Sequence, residues 1–345
     1  MMYSCHICWH EFRSSCLLRP APPPTGRAMI AKQVLIIGVT GALGYSTMLE
    51  ALPAVHCVRV LARTPESPLI PTGVEVMIGT AESADDLSRS VESCEVVFYC
   101  FNVPITEWEQ KLPRLLDSTL AVCKASGARL VFPGNVWVFG KGATGQKVNE
   151  SQPLAPISRK GRVRAKLEQM LRNSGARYII VRLPEFYGRN LTNDLMGKPF
   201  EDALRGRAIT WYGCYPEVRV EYMFMPDAAN AVIEVGTDEG VDGEIFHVPG
   251  FAEITLRALW NEVAIIAGRG SRVQMMFPLA IKALRYISPI VRELDDILHL
   301  WSDTILLDGS KHEWRFGRIP RRSYEQGIEK TPRWFTGHAG PKIAV

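Results

Sequence analysis

An apolar run, Gln33-Val34-Leu35-Ile36-Ile37-Gly38-Val39-Thr40-Gly41-Ala42-Leu43-Gly44, breaks into three glycines three residues apart, and a helical pattern follows over residues 45–52. Strand, glycine-rich turn, helix is the order that builds a phosphate site. The first N–H groups of a helix have no partner inside it, and the aligned peptide dipoles put partial positive charge there. Glycine at these positions lets a pyrophosphate approach closely, or lets the backbone take φ > 0. The spacing is GxxGxxG rather than GxGxxG, so a plain strand–helix turn is the competing reading. The turn closes the first strong strand of an α/β alternation, which favours a dinucleotide. Gly38, Thr40, Gly41, Ala42, Leu43 and Gly44 are accordingly the expected cofactor-binding residues.

Outward from this turn, strand and helix signals alternate. Residues 58–62, 74–78, 95–101, 129–132 and 177–182 read as further strands, with helices over 83–91, 107–126 and 160–173. Several strands are apolar on both faces. That predicts a mainly parallel sheet covered by helices on both sides, a Rossmann-type doubly wound α/β fold whose ligands bind beyond the carboxyl ends of the strands.

After Pro184 the pattern changes to a helix over 193–205, a strand over 221–225, a helix over 227–235, a short strand over 244–248 and a helix over 255–267. These read as a smaller C-terminal α/β substrate lobe. Residues 273–301 run as long amphipathic stretches. Core or lid packing is the preferred reading there over a membrane surface, because Glu293, Asp295 and Asp296 interrupt the polar face. The expected organisation is a leader over 1–31, a dinucleotide core over 32–190, a substrate lobe with segments returning to the core over 191–335, and a tail over 336–345.

Hydrophobic content of 47% and charged content of 22% over 345 residues are ordinary for a soluble globular protein. The net charge of +4 is small and no block of five like charges occurs, so nothing asks for nucleic acid as a partner. No apolar stretch reaches the ~18 residues of a membrane span. The eight cysteines, Cys5, Cys8, Cys16, Cys57, Cys94, Cys100, Cys123 and Cys214, are scattered, which suits free thiols in a reducing cytoplasm better than a disulfide framework. Cys5, Cys8 and Cys16, with His6 and His10, invite a zinc reading. The second pair of ligands is not at finger spacing, however, and Pro20, Pro22, Pro23 and Pro24 follow at once. The leader is read as a disordered tail, or as sequence ahead of a start at Met29, and no metal site is assigned.

With glycine turn, strand order and lobe together, the chain resembles an extended short-chain dehydrogenase/reductase. The likeness is to the NAD(P)-dependent epimerase/dehydratase group, with an NmrA-like glycine turn. It rests also on Asn135-Val136-Trp137-Val138-Phe139-Gly140, Arg182-Leu183-Pro184-Glu185-Phe186-Tyr187-Gly188, Tyr222-Met223-Phe224-Met225-Pro226-Asp227-Ala228-Ala229 and Gly243-Glu244-Ile245-Phe246-His247-Val248. The resemblance implies an NAD(P)(H)-binding oxidoreductase, or an epimerase-like enzyme, acting on a small carbonyl-containing or sugar-like molecule. It adds Phe101, Asn102, Pro184 and Tyr187 to the cofactor-binding residues and leaves homodimer assembly open.

Three departures from the family pattern matter. An NAD enzyme of this kind ends its second strand with an acid on the ribose hydroxyls. Here Ala62 is followed by Arg63, whose guanidinium suits a 2′-phosphate, so NADP(H) is favoured over NAD(H). Thr80 stands where the family often has an Asp near the adenine. The usual Tyr-x-x-x-Lys pair is also replaced. Alignment on Glu168 puts Lys160 at the Tyr position, Arg164 at the Lys position and Asn135 at the Ser/Thr position.

Arg164 can still bind ribose, Lys160 could exchange a proton beside Arg162 and Arg164, and Asn135 could polarise a carbonyl. Tyr187 and Tyr222 are alternative acids or packing residues. Two functional readings stand: an enzyme whose catalytic residues are Lys160, Asn135 and Arg164, and a catalytically inactive NADP(H)-binding sensor or regulatory module.

Overall fold

A computed structural model describes residues 33–64, 67–140, 146–191, 196–212, 216–268, 270, 272–276, 278–302, 304–318 and 321–337. The leader, with the zinc question at Cys5, Cys8 and Cys16, lies outside these residues. In chain order the elements begin β1 (Gln33–Ile37), α1 (Ala42–Ala51), β2 (Cys57–Ala62), β3 (Glu75–Ile78), α2 (Ala84–Val91), β4 (Val96–Tyr99), α3 (Trp108–Ser126) and β5 (Arg129–Asn135). They continue with β6 (Lys147–Val148), α4 (Arg159–Asn173), β7 (Tyr178–Leu183), β8 (Glu185–Tyr187), α5 (Gly197–Leu204), β9 (Ile209–Tyr212), β10 (Arg219–Phe224) and α6 (Met225–Thr237). The last are β11 (Ile245–His247), β12 (Glu253–Thr255), α7 (Leu256–Ala267), β13 (Val273–Met276), α8 (Pro278–Leu284), α9 (Pro289–Ile297), β14 (Leu306–Leu307), α10 (Ser310–Phe316) and α11 (Tyr324–Gly337).

The main sheet has seven parallel strands in the order β11-β7-β5-β4-β1-β2-β3. The order follows burial: β4 is buried at all four positions and lies centrally, whereas β3, with Glu75 and Ile78 exposed, forms an edge. Alternate residues of the strands face opposite layers. Leu35, Ile37, Val97, Leu130 and Phe132 pack towards α2, α3 and α4, while Val34, Ile36, Val96, Phe98 and Val131 pack towards α1 and α6. The chain runs outward from β1 to β3, then returns to place β4 on the other side of β1. That reversal opens a crevice beyond the carboxyl ends of β1 and β4, beside the glycine turn.

Several elements differ from their sequence expectation for identifiable reasons. β4 stops at Tyr99 rather than continuing to Phe101, because its ladder ends with the Cys100 N–H on the Ile37 carbonyl. β5 runs on through Pro133 to Asn135. Pro133 is tolerated because only β7 pairs with that end of the strand, β4 having left the ladder at Val131. Residues 273–276, read as part of an amphipathic stretch, form a strand parallel to β9, with Val273 opposite Ile209. The helix read over 193–205 begins at Gly197, and residues 192–195 lie outside the described set. From the chain beyond residue 190, α6 and β11 come back to the main sheet, β11 pairing with β7.

Trp211, Trp260 and Trp301 form the centre of the remaining C-terminal elements, with ring centroids 5.0 and 5.2 Å apart. Such aromatic pairs each add about 0.5–1.5 kcal/mol beyond their area burial. A charged network sits inside the main core. Arg182 bonds Glu168 Oε2 at 2.5 Å and His247 Nε2 at 2.6 Å, and His247 Nδ1 bonds the Val148 carbonyl at 2.9 Å. Arginine can only donate, so His247 Nε2 accepts and Nδ1 carries the proton. Burial, reinforced by Arg182, pushes the His247 pKa down to about 3, so the ring is neutral.

Candidate nucleotide-binding and active site

β1 ends at Ile37, and Gly38 turns the chain with φ +88°. A Cβ there would lie 2.6 Å from the Cα of Phe101, and one on Gly44 would run into the carbonyl oxygen of Gly38. Gly41 differs: its Cβ would meet only that carbonyl oxygen, at 3.4 Å, and the residue is exposed. The outer glycines therefore close strand onto helix, while the middle one keeps the outer side of the turn bare. α1 starts with no side-chain cap among the described residues and no acid in its first turn. Its first N–H groups face the turn, and this cradle fits a pyrophosphate. Thr40 is exposed, Ala42 and Leu43 are half-buried, and the Thr40 carbonyl accepts Asn190 Nδ2 at 3.0 Å.

Arg63 stands exposed just past β2, after the buried Ala62. Thr80 carries no acid, but its N–H donates to Asp86 Oδ2 at 3.0 Å, so a carboxylate from α2 stands beside it. Phe101 is half-buried and Asn102 exposed after β4, with Asn102 Oδ1 accepting the Val103 N–H at 3.0 Å.

Beyond the ends of β4, β5 and β7 lies a second group. Arg164 reaches in from α4, its guanidinium 4.9 Å from the Phe132 ring centroid and 5.9 Å from that of Trp108, and donates to the Pro133 carbonyl at 2.6 Å. Its Nε and the Tyr99 hydroxyl are both buried with no partner among the described residues. Burial lowers the Arg164 pKa and raises that of Tyr99, which stays a neutral phenol. Asn135 commits Oδ1 to the Trp137 N–H at 3.2 Å, capping the short 3-10 helix Val136–Val138, so Nδ2 is the side left to donate.

Glu185, after the buried Pro184, accepts a hydrogen bond from Trp137 Nε1. Burial raises its pKa, against the opposing pull of that bond and of the Arg164 charge. A cavity of ≈ 20 Å³, room for one water, is bordered by Glu185, Glu221, Tyr222, Trp301 and Thr304. Burial pushes Glu221 up to about 7, and the Tyr222 hydroxyl accepts Trp301 Nε1 at 3.2 Å.

The Lys160 side chain is engaged by α9. It is 2% exposed, with Nζ 2.8 Å from Glu293 Oε2 of α9. The N–H groups of Arg159 and Lys160 donate to the Asp296 carboxylate at 3.1 and 3.2 Å, so α9 caps the first turn of α4. Gly161 is required beneath it, since a Cβ would strike the Trp137 carbonyl. Tyr187 is away from the edge. It is 1% exposed, packs on Phe200, Phe224 and Tyr324, and is closed over by Gly327 of α11.

The structure thus brings Asn135, Arg164 and Pro184 together at one edge and adds Tyr99, Trp137 and Glu185. Glu185 lies within the Arg182-Leu183-Pro184-Glu185-Phe186-Tyr187-Gly188 motif. Glu293 and Asp296 are three residues apart on one helix face, but nothing local ties them to α4.

Glycine cradle, switch-point crevice and parallel sheet define a Rossmann-type dinucleotide-binding fold of the epimerase/dehydratase kind. Residues 38–210 match a family model described as NAD(P)H-binding, and the chain belongs to that family. The dTDP-glucose 4,6-dehydratase of Neisseria meningitidis serogroup B (strain ATCC BAA-335 / MC58) is 25% identical over 206 residues, 57% of this chain and 55% of that protein. The match spans about half the length of that relative. Among solved structures, the UDP-glucose 4-epimerase of Thermotoga maritima with UDP-glucose aligns over 88% of this chain and 99% of its own at 17% identity, TM-score 0.71. The dTDP-glucose 4,6-dehydratase of Bacillus anthracis str. Ames in complex with NAD aligns over 90% and 98% at 16% identity, TM-score 0.73. These two likenesses are of fold.

Proposed function

We propose that the chain is an NADP(H)-preferring oxidoreductase of the short-chain type, acting on a small carbonyl-containing or sugar-like molecule at the carboxyl edge of β4, β5 and β7. The observation that carries this reading is the glycine cradle, two of whose glycines have no room for a Cβ while the third leaves the turn open. Ala62 and Arg63 support NADP(H), since an acid is missing and an exposed guanidinium follows. A nicotinamide dinucleotide held there supplies or accepts a hydride. Arg164 holds the ribose end through its Nε, which has no partner among the described residues. Asn135 Nδ2 polarises the substrate carbonyl. Glu185, whose pKa burial raises, gives the proton to the carbonyl oxygen. Lys160 is the rival donor, although its ammonium is already engaged by Glu293.

The test follows nicotinamide absorbance with NADPH and a panel of carbonyl compounds. Glu185→Gln is expected to lower kcat about a hundredfold while NADPH affinity is kept. The double variant Lys160→Met/Glu293→Gln, which removes the ammonium without stranding a charge, is expected to stay active. The reverse pattern transfers the proton to Lys160. In parallel, Arg63→Ala is expected to erase the preference for NADPH over NADH, and an unchanged preference removes Arg63 from phosphate recognition.

A second reading, an NADP(H)-binding module without turnover, is favoured by one observation. Asp296 and Glu293 clamp the start of the helix that carries Arg164, so cofactor occupancy has a direct mechanical route to α9. Tight NADPH binding without turnover on any substrate would favour it.

A further inference from the structure

We propose that the face made by α8 and the turn after it is a docking surface for an anionic lipid membrane. Of the described side chains of α8, only Ile281 is buried. Leu279 is 81% exposed, and Tyr286 and Ile287 are each 79% exposed. Ala280 and Ala283 are also exposed. Single exposed apolar side chains are ordinary, but three large ones within nine residues form a patch.

The charge around this patch is one-sided. Lys282 and Arg292 are exposed and have no acidic partner among the described residues. Arg285 lies 5.7 Å from the Tyr286 ring centroid and pairs with Asp295. The acids that break the polar face in the sequence are all engaged: Glu293 by Lys160, Asp295 by Arg285, and Asp296 by the first N–H groups of α4. The outward balance is therefore positive around an apolar centre. An exposed tyrosine with lysine and arginine at the rim is the composition that inserts shallowly at headgroup level and meets anionic lipid.

A second copy of the chain is the poorer occupant. A two-fold contact would set each basic rim against itself. Nor does the surface need a span, and no described helix is long and apolar enough to cross a membrane. The proposal stands independently of the enzymatic reading.

Vesicle flotation with the full chain tests it, using phosphatidylcholine alone and phosphatidylcholine with phosphatidylserine. The chain is expected to float with the phosphatidylserine vesicles and to be released by raised salt. The triple variant Leu279→Ser/Tyr286→Ser/Ile287→Ser should lose flotation, and Lys282→Gln and Arg292→Gln should each weaken partition about fivefold. These side chains are solvent-exposed, so melting temperature and NADPH titration should match wild type and serve as the folding control. Failure to float, or flotation that none of the variants alters, overturns the proposal. So does a concentration-dependent dimer in sedimentation that the triple variant abolishes, which would assign the face to a second copy.

Discussion

A methyl group on Gly41 meets only the Gly38 carbonyl oxygen at 3.4 Å, whereas one on Gly38 sits 2.6 Å from Phe101 Cα and needs a φ of +88° that L residues rarely adopt. Residues identical in sequence therefore have separable surroundings, one open on the outer side of the turn and two closing the strand–helix junction. Gly38→Ala should lower stability by about 1–3 kcal/mol from backbone strain alone, with the clash adding to it. Gly41→Ala should melt like wild type but bind NADPH about tenfold more weakly, because its methyl occupies the approach to the turn. Thermal melts and nucleotide titrations read the two effects separately. Normal NADPH affinity in Gly41→Ala would take the turn out of cofactor contact. The sequence made these positions visible because glycine spacing after an apolar run is local information. Which of the three has an open side was not visible, since the atoms a Cβ on Gly38 would meet belong to Cys100 and Phe101, past the end of β4.

Elements were legible where a run of apolar residues is long enough to state its own period, as in β1, α3 and α4. β13 was not. Four residues with Met275 and Met276 at one end take their conformation from pairing with β9, more than sixty positions earlier. Sequence separation, 65 positions between Arg182 and His247 and 99 between His247 and Val148, also hides the Glu168–Arg182–His247 network, which joins α4, β7 and β11 and ties them to β6. Its pH behaviour can be worked out. His247 has a folded pKa of about 3 against an ordinary 6.5, so the unfolded chain binds a proton that the folded chain refuses between those values. The stability contribution is complete above pH 6.5 and is lost progressively as pH falls towards 3. Glutamine at this position can accept from Arg182 and donate to Val148 without titrating. His247→Gln should therefore flatten the fall of the urea midpoint between pH 7 and pH 4. An unchanged slope would assign that acid sensitivity to other groups.

At the scale of the whole molecule, α9 folds back onto the main-sheet layer at the start of α4. Motif spacing singles out Lys160, Asn135 and Arg164 as candidates because it is local information. It could not show that Lys160 faces Glu293, because that pairing depends on how α9 packs. The geometry makes a quantitative cycle available. Lys160→Met alone strands a nearly buried carboxylate whose remaining partner, Arg159, lies 3.4 Å away and half in water, so the cost should sit near the lower end of about 3–5 kcal/mol. Lys160→Met/Glu293→Gln removes both charges and should fall within about 1 kcal/mol of wild type, giving a coupling energy of about 2 kcal/mol or more from urea unfolding of the four proteins. Repeated with saturating NADPH, the cycle separates the two functional readings. If α9 only braces the substrate site, the coupling energy stays the same with cofactor bound. If α9 senses the cofactor through α4, NADPH must change the Lys160–Glu293 contact, and the coupling must shift by the difference in NADPH binding free energy across the four variants.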